Sequence, residues 1–175
     1  MSQEVIDIVD REWKPTWETV SRDIAHQKWL LHKAVHVWIV NEKKELLLQL
    51  RHEKKLILPL HWESSASGHV EAWESNEVAA CRELWEELWI QTRPQDLTFS
   101  WIHHSCHKIG NLTNNEVHLV YTCSWDGSVD DLKFEKDKVA DAKWYSRGDL
   151  DALLVSEKVL FTPHIREHIK LLSLK

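Results

Sequence analysis

The chain has 175 residues, a length typical of one domain with a full hydrophobic core, so we expect residues 1–175 to form a single domain. Its formal net charge of -6 gives no long-range attraction to nucleic-acid polymers or to anionic membranes. An anionic small-molecule substrate would therefore need a metal ion or a local basic cluster.

The first residues and the cysteines indicate a compartment. The opening segment MSQEVIDIVDREW lacks the basic and apolar regions of a secretory signal, and no apolar run is long enough to span a bilayer. Cys81, Cys106 and Cys123 are an odd number without metal-ligand spacing, which favours reduced thiols. These features predict a cytoplasmic protein.

The first half of the chain predicts strands followed by one helix. Residues 4–9 alternate weakly and favour an edge strand, whereas residues 11–31 carry few apolar groups and are expected to cover the surface. Residues 34–41 and 45–52 are two β-rich runs joined by polar residues, which is typical of a hairpin. Residues 75–88 have helical periodicity, with an inner stripe of Val78, Ala79, Leu84 and Leu88.

The second half predicts more strands and two further helices. Residues 97–107 and 116–125 are expected to pair around Gly110-Asn111, and residues 142–145 form a short strand. Ser146 and Asp149 have the spacing of a helix cap. Thr162-Pro163 is a cap followed by proline at the first helical position. Strands interleaved with three helices predict a mixed sheet between helical layers.

Residues 68–90, GHVEAWESNEVAACRELWEELWI, contain three glutamates on one helical face. Glu83, Glu86 and Glu87 have i, i+3 and i+4 spacing, so their side chains are neighbours and repel one another. A hard divalent cation with oxygen ligands would offset this repulsion. Because an isolated acidic cluster is usually a solvated helix face, the rest of the segment decides between the two interpretations.

The spacing of the whole segment resembles the Nudix box. Gly68 is followed after five residues by Glu74 and after seven more by Arg82-Glu83-Leu84-Trp85-Glu86-Glu87-Leu88-Trp89-Ile90; the one departure is Trp89, where the family has glycine. Residues 32–41 and 61–70 are also similar to strands of the Nudix subgroup that resembles isopentenyl diphosphate isomerase. The resemblance implies an α/β fold, the Nudix-type α/β/α sandwich with a mixed sheet. It also implies hydrolysis of a diphosphate linkage in a nucleoside diphosphate derivative or a related organic pyrophosphate.

The resemblance further implies roles for the residues of the box. Mg²⁺ or Mn²⁺ would neutralise the phosphates and lower the pKa of a bound water, and Glu86 or Glu87 would serve as a catalytic base. Glu74 and Arg82 would form an ion pair that braces the helix against its loop. The expected partner is a small-molecule diphosphate, and many relatives form homodimers. The implied metal ligands are the Gly68 carbonyl, Glu83, Glu86 and Glu87.

Glu116 and Arg51 are candidates outside the box. Glu116 stands at the start of a strand, where related isomerases and several Nudix hydrolases place a catalytic glutamate; an ordinary strand-end carboxylate explains it equally well. Arg51 ends the second hairpin strand and is a candidate for binding a substrate phosphate. A surface arginine is the alternative.

The histidines of the first 70 residues resemble those that bind metal in the isomerase relatives. They are His26, His32, His36 and His69. His69 follows the box glycine directly and is the strongest candidate for a role beyond packing. His103, His104 and His107 crowd one strand, but no further zinc ligand is evident in the sequence, so they are interpreted as incidental.

Two alternatives to hydrolysis follow from the same resemblance. The isomerase relatives use a cysteine just before the box glycine, whereas this chain has Ser67, whose hydroxyl is too weakly acidic to replace it well. A non-catalytic Nudix-fold nucleotide sensor usually lacks box glutamates, and this chain keeps all of them. Both features favour hydrolysis.

Eleven tryptophans and only four glycines invert the ordinary ratio, since glycine makes up about 7% of an average chain. Trp17, Trp29, Trp73 and Trp89 occupy places where the resembling proteins have glycine, and Trp13 is a further candidate. Trp38, Trp62 and Trp144 fit strand positions. Some bacteria read UGA as glycine, so our hypothesis is that these five tryptophans are glycines translated under the wrong code. The alternative is a tryptophan-rich protein with altered loops.

Overall fold

The computed structural model describes residues 4–109, 112–156 and 159–172, so Gly110 and Asn111 lie outside the described residues. Its strands are β1 (Val5–Val9), β2 (Pro15–Ser21), β3 (His32–Val40), β4 (Leu46–Arg51), β5 (Trp62–Glu63), β6 (Ala66–His69), β7 (Thr98–Ile109), β8 (Leu112–Ser124) and β9 (Val139–Tyr145). Its α-helices are α1 (Arg22–Lys28), α2 (Asn76–Leu88), α3 (Arg147–Ser156) and α4 (Ile165–Leu171). In this part of the chain no helix is both long and apolar enough to cross a bilayer.

Strand β3 lies at the centre of a mixed sheet. It pairs in parallel with β8 and antiparallel with β1, β4 and β6. Strand β7 continues the sheet beyond β8, while β9 and β5 pair with β4. The pairs β1–β2, β3–β4 and β7–β8 join strands that are consecutive in the chain, whereas the parallel pair of β3 and β8 requires a crossover, which carries α2.

Helices cover both faces of the sheet. Successive side chains of a strand point to opposite faces, so the strands contribute apolar side chains to a core on each side. On one face, Val35 and Val37 pack with Leu84 and Leu88 of α2. On the other face, Trp38 and Val120 belong to a second core with residues of α3 and α4, including Leu150, Ile165 and Ile169. The architecture is the α/β/α sandwich expected from the sequence.

Three local predictions need correction. The last helix was expected to begin at Thr162-Pro163, but α4 begins at Ile165 with His164 as its N-cap. Residues 11–31 lie largely at the surface, as expected, but they also form β2 and α1, and β2 pairs with β1 through a register shift between Asp7 and Val9. The bulge and the scarcity of apolar residues hid the strand. Val78 is 48% exposed, and Ala80 takes its place on the buried face of α2 beside Ala79 and Leu84.

The five tryptophans assigned to glycine places all have left-handed backbone conformation. Trp13, Trp17, Trp29, Trp73 and Trp89 have φ between 60° and 68°. Trp29 and Trp89 end α1 and α2 as left-handed caps, the place where glycine is preferred. This backbone geometry is the one that glycine adopts without steric cost.

Trp73 occupies the third position of a turn. The Glu74 N–H donates to the Glu71 carbonyl at 3.1 Å, and φ at Trp73 is 64°. A positive φ at this position is the requirement that selects glycine in a type II turn.

Candidate metal and diphosphate site

An open cleft lies where β6 meets α2. Its walls come from many parts of the chain, among them the start of α1, the loop after β4, the segment around Gly68, the box helix, strands β7 and β8, the residue before β9 and the segment before α4. Acidic, basic and imidazole groups share these walls. They include Glu83, Glu87, Glu116, Lys55, Lys138 and His69.

Gly68 is positioned by backbone pairing of β6 with β3, in which it lies opposite Val35. A Cβ atom at residue 68 would overlap the carboxylate of Glu83. The absence of a side chain therefore lets the Glu83 carboxylate lie against the backbone of β6. This contact brings the proposed carbonyl and carboxylate ligands together.

Arg82 links the loop to the box helix. Its guanidinium donates to both carboxylate oxygens of Glu74 at 3.0 Å and to the His69 carbonyl at 3.0 Å. Its Nη1 also lies 2.6 Å from Glu83 and 3.4 Å from Glu86. The Glu74–Arg82 pair thus has the two-pronged geometry that orients as well as attracts.

Glu83 and Glu87 form a buried carboxylate pair. Burial, followed by repulsion from Glu87, raises the pKa of Glu83 to about 8. Burial likewise raises the pKa of Glu87, although Lys55 opposes the shift. Glu87 accepts hydrogen bonds from Gln49 at 2.7 Å and from the Ser67 N–H at 3.1 Å. Two such groups in one buried space favour a cation between them.

The three glutamates do not converge as fully as the sequence predicted. Glu86 is not among the residues that line the cleft; its side chain is 40% exposed and faces Arg82. Among the described residues, the box glutamates do not form a group whose ligand atoms lie within 4.8 Å of one another. Arg82 supplies the counter-charge between Glu83 and Glu86, which explains the wider arrangement.

Arg51 is not the surface arginine that was the alternative interpretation. Its Nη1 lies 2.9 Å from both oxygens of the buried Glu63, and its other nitrogens donate to the Ile57 and Leu58 carbonyls. The side chain lines the cleft but is only 15% exposed. Arg51 therefore fastens the loop after β4, and it shares the cleft with the cations Lys55 and Lys138.

A second group of ligand atoms lies beside the carboxylate pair. One nitrogen each of His26, His32 and His69 and one oxygen of Glu116 lie within 4.8 Å of one another. The three ring centroids are 5.1–5.3 Å apart. Both ring nitrogens of His26 are buried without a hydrogen-bond partner. This group, hereafter the His26 group, has the donor types that transition metals prefer.

Polar neighbours orient the members of the His26 group. Nδ1 of His32 lies 2.8 Å from the Leu30 carbonyl, and Nδ1 of His69 lies 2.8 Å from Glu4. Burial lowers the pKa of His69, but hydrogen bonds with Glu116 and Glu4 raise it to about 9 overall. Burial raises the pKa of Glu116, but hydrogen bonds with His118 and His69 hold it well below the ordinary range. The site thus already accommodates one positive charge.

Strand register explains why these residues meet. His32 lies opposite Glu116 in the parallel pair of β3 and β8, and Ala34 lies opposite His69 in the pair of β3 and β6. The sequence analysis named His26, His32 and His69 as similar to metal-binding histidines of the isomerase relatives, and Glu116 on its own, but the spacing of these residues over four elements gave no local signal that all four meet. His26 joins them because α1, which the sequence analysis missed, packs over this edge.

The comparisons with known proteins agree with this geometry. The family model for the NUDIX domain matches residues 30–165. Nudix hydrolase 3 of Arabidopsis thaliana is 29% identical over 94% of this chain, although the chain spans only 22% of that protein. An isopentenyl-diphosphate Delta-isomerase 2 of Photorhabdus laumondii is 31% identical, over 97% of this chain and 93% of its own length.

Solved structures share the fold. The crystal structure of DR0079 from Deinococcus radiodurans superposes with a TM-score of 0.73 at 19% identity, covering 95% of this chain and 98% of that one. A MutT protein from Methanosarcina mazei gives a TM-score of 0.61 at 20% identity, over 80% of this chain and 91% of its own. With the family model covering most of its length, the chain belongs to the Nudix superfamily and is a Nudix pyrophosphohydrolase.

Proposed function

We propose that this enzyme is an Mg²⁺- or Mn²⁺-dependent hydrolase of a small organic diphosphate, such as a nucleoside diphosphate derivative. The observation that carries the proposal is the buried Glu83–Glu87 pair, which lies against the backbone of Gly68 at the wall of an open cleft. Its donors are all oxygens, the ligand type that these hard cations prefer.

The residues present fit a divalent cation. A Cβ at residue 68 would fill the space beside Glu83, and burial of Glu83 and Glu87 disfavours two uncompensated negative charges. We propose that Glu83, Glu86, Glu87 and the Gly68 carbonyl hold the ion, with Glu86 turning from Arg82 into the cleft. When bound, such an ion neutralises phosphate charge and lowers the pKa of a coordinated water.

The remaining chemistry belongs to side chains of the chain itself. Glu86 or Glu87 accepts the proton of the attacking water; Glu87 is held in place by Gln49 and by the Ser67 N–H. Lys55, whose Nζ lies 3.7 Å from Glu87, and Lys138 offer positive charge to the phosphates. Glu116 faces histidines with both of its oxygens, so we assign it to the His26 group rather than to the base.

A substrate panel tests the proposal. Nucleotide sugars, dinucleoside polyphosphates and prenyl diphosphates are incubated with Mg²⁺ or Mn²⁺, and the phosphorylated products of hydrolysis are separated and quantified by chromatography. The Glu86→Gln, Glu87→Gln double variant should lose nearly all turnover, since proton transfer alone contributes about 10²–10⁴-fold. Glu18→Gln, at an exposed residue of β2, is the control and should retain full turnover. Equal turnover of the double variant and wild type would refute the assignment.

An isopentenyl diphosphate isomerase-like reaction is the second candidate. It is favoured by the His26 group and by the similar length of the Photorhabdus laumondii relative. Ser67 argues against it, because its hydroxyl is a poor proton donor where the isomerases have cysteine. Interconversion of isopentenyl and dimethylallyl diphosphate by the wild-type chain would establish it. Binding of a nucleotide without turnover of any compound would instead indicate a sensor.

We also propose that the His26 group binds a transition metal of its own. Three imidazoles and one carboxylate suit Mn²⁺, Fe²⁺ or Zn²⁺ better than Mg²⁺. Metal content of the purified protein by mass spectrometry tests this proposal. His26→Asn should abolish the bound metal, whereas His52→Asn, in the loop after β4, should leave it unchanged.

A further inference from the structure

A separate row of histidines lies on the face of the sheet covered by α4. His103 of β7 pairs directly with His118 of β8, and His118 lies opposite Ala34 of β3. The side chains of residues paired in this way project to the same face. Above them, α4 contributes His168, whose ring is fully buried. The small side chain of Ala34 leaves room beside His118.

From this arrangement we propose that His103, His118 and His168 form a second, structural transition-metal site that binds Zn²⁺ or a similar ion. One nitrogen of each ring lies within 4.8 Å of a nitrogen of the other two. The ring centroids are 5.4, 5.6 and 5.9 Å apart. Three imidazoles pointing at one tetrahedral ion, with Zn–N distances of roughly 2.0–2.1 Å, place their centroids about 5 Å apart.

The unpartnered nitrogens of His118 and His168 supply the second observation. Nδ1 of His118 and both nitrogens of His168 are buried without a hydrogen-bond partner. Leaving such groups unsatisfied is costly, so native proteins rarely do so. Burial also lowers the pKa of His168 to about 2, and this keeps its ring neutral, as a metal ligand must be.

Carboxylates complete the arrangement around the ligands. Nε2 of His118 lies 2.9 Å from Glu116, and Nδ1 of His103 lies 3.4 Å from Glu167. A ligand histidine commonly donates its other N–H to a carboxylate, which fixes the tautomer and orients the ring. This leaves Nδ1 of His118 and Nε2 of His103 for the ion. Three protein ligands leave the fourth position of a tetrahedral ion to water.

A neighbouring set of rings is less suitable. His36, His118 and His164 also have ligand atoms within 4.8 Å, but their centroids are only 4.1–4.8 Å apart. His36 is tilted by 40° over the His118 ring, so it contacts the ring and does not share a common centre with it. Nδ1 of His36 also lies 3.1 Å from Ser64. The geometry therefore favours the set that includes His103 and His168.

The test is zinc stoichiometry and thermal unfolding in a His26→Asn background, which removes the other histidine group. The chelator-treated protein is titrated with Zn²⁺, and with Co²⁺ as an absorbing probe. We expect one equivalent of zinc, a tetrahedral Co²⁺ absorption band and a melting temperature that rises with zinc. His103→Asn and His168→Asn should each lose all three signals. His104→Asn, on the same strand, should retain them.

His103 is partly exposed, so its substitution preserves the fold even if that of His168 does not. Retention of the zinc equivalent in His103→Asn would overturn the proposal. Loss of the zinc in His164→Asn with retention in His103→Asn would do the same and assign the ion to the other set. Turnover with Mg²⁺ is measured in parallel and should not change in His103→Asn, because His103 is not among the residues that line the cleft.

Discussion

Replacing Trp17 or Trp73 by glycine should stabilise the folded chain. Both residues have a left-handed backbone, with φ of 68° and 64°, and their side chains are 89% and 83% exposed. A left-handed L-residue costs about 1–2 kcal/mol, while glycine costs about 0.5–1 kcal/mol in extra backbone entropy. Since little buried area is lost, the expected net gain is about 0.5–1 kcal/mol at each position.

Alanine variants isolate the backbone effect from loss of the indole. At positions 17 and 73 alanine keeps the strain, so glycine should be the more stable of the two by about 0.5–1 kcal/mol. Trp85 is the matched control, because it is 46% exposed within α2. There the order should reverse, with glycine less stable than alanine by roughly 1 kcal/mol.

The assay is urea unfolding followed by circular dichroism, with the free energy of unfolding extrapolated to water. The six variants, glycine and alanine at positions 17, 73 and 85, are compared under identical conditions. The reasoning is refuted if the alanine variants are as stable as the glycine variants, or more stable, at both positions 17 and 73. Trp89 is a weaker test, because its ring stacks on Trp85 at 4.9 Å and lies 4.2 Å from Lys133 Nζ.

Three further predictions concern the box and the codons. Gly68→Ala should abolish Mg²⁺-dependent turnover, because the Cβ of the alanine would displace the Glu83 carboxylate. Calorimetry should then detect no Mg²⁺ binding to the variant. Binding of Mg²⁺ with wild-type affinity would contradict the prediction. Arg82→Gln should lower the free energy of unfolding by about 1–3 kcal/mol, since it leaves the mostly buried Glu74 unpaired. The control is Arg93→Gln, which removes an exposed ion pair with Asp96 and should change the free energy of unfolding little. Finally, the codons of all five left-handed tryptophans should be UGA in the gene, and that of Trp38 should be UGG; UGG at Trp73 and Trp89 would disprove the glycine hypothesis.

The box helix could be predicted because its signals are local. Ser75 caps α2 by accepting from Val78, and the Glu74–Arg82 pair follows from residues eight apart. The positions that favour glycine could also be predicted. The family pattern has glycine where this chain has Trp89, and the end of a helix favours a residue with positive φ. The backbone has a positive φ at all five places.

The resemblance indicated the three histidines of the His26 group, but the group around His103 could not be predicted because strand register creates it. His103 was interpreted as incidental, since its partners His118 and His168 are 15 and 65 positions away in the chain. Pairing of β7 with β8 and the placement of α4 bring them together. The ion pair between Arg51 and Glu63 could not be predicted either, because it depends on the pairing of β5 with β4 across the loop between them.

The uneven exposure of the indole rings has a practical consequence for spectroscopy. Trp38 is fully buried, whereas the five rings at left-handed positions are 39–89% exposed. Emission from those five already reports a largely aqueous surrounding in the native state, so tryptophan fluorescence will change less on denaturation than a count of eleven indoles suggests. Glycine at these turns would remove that constant background and leave the buried rings as the optical reporters of the core.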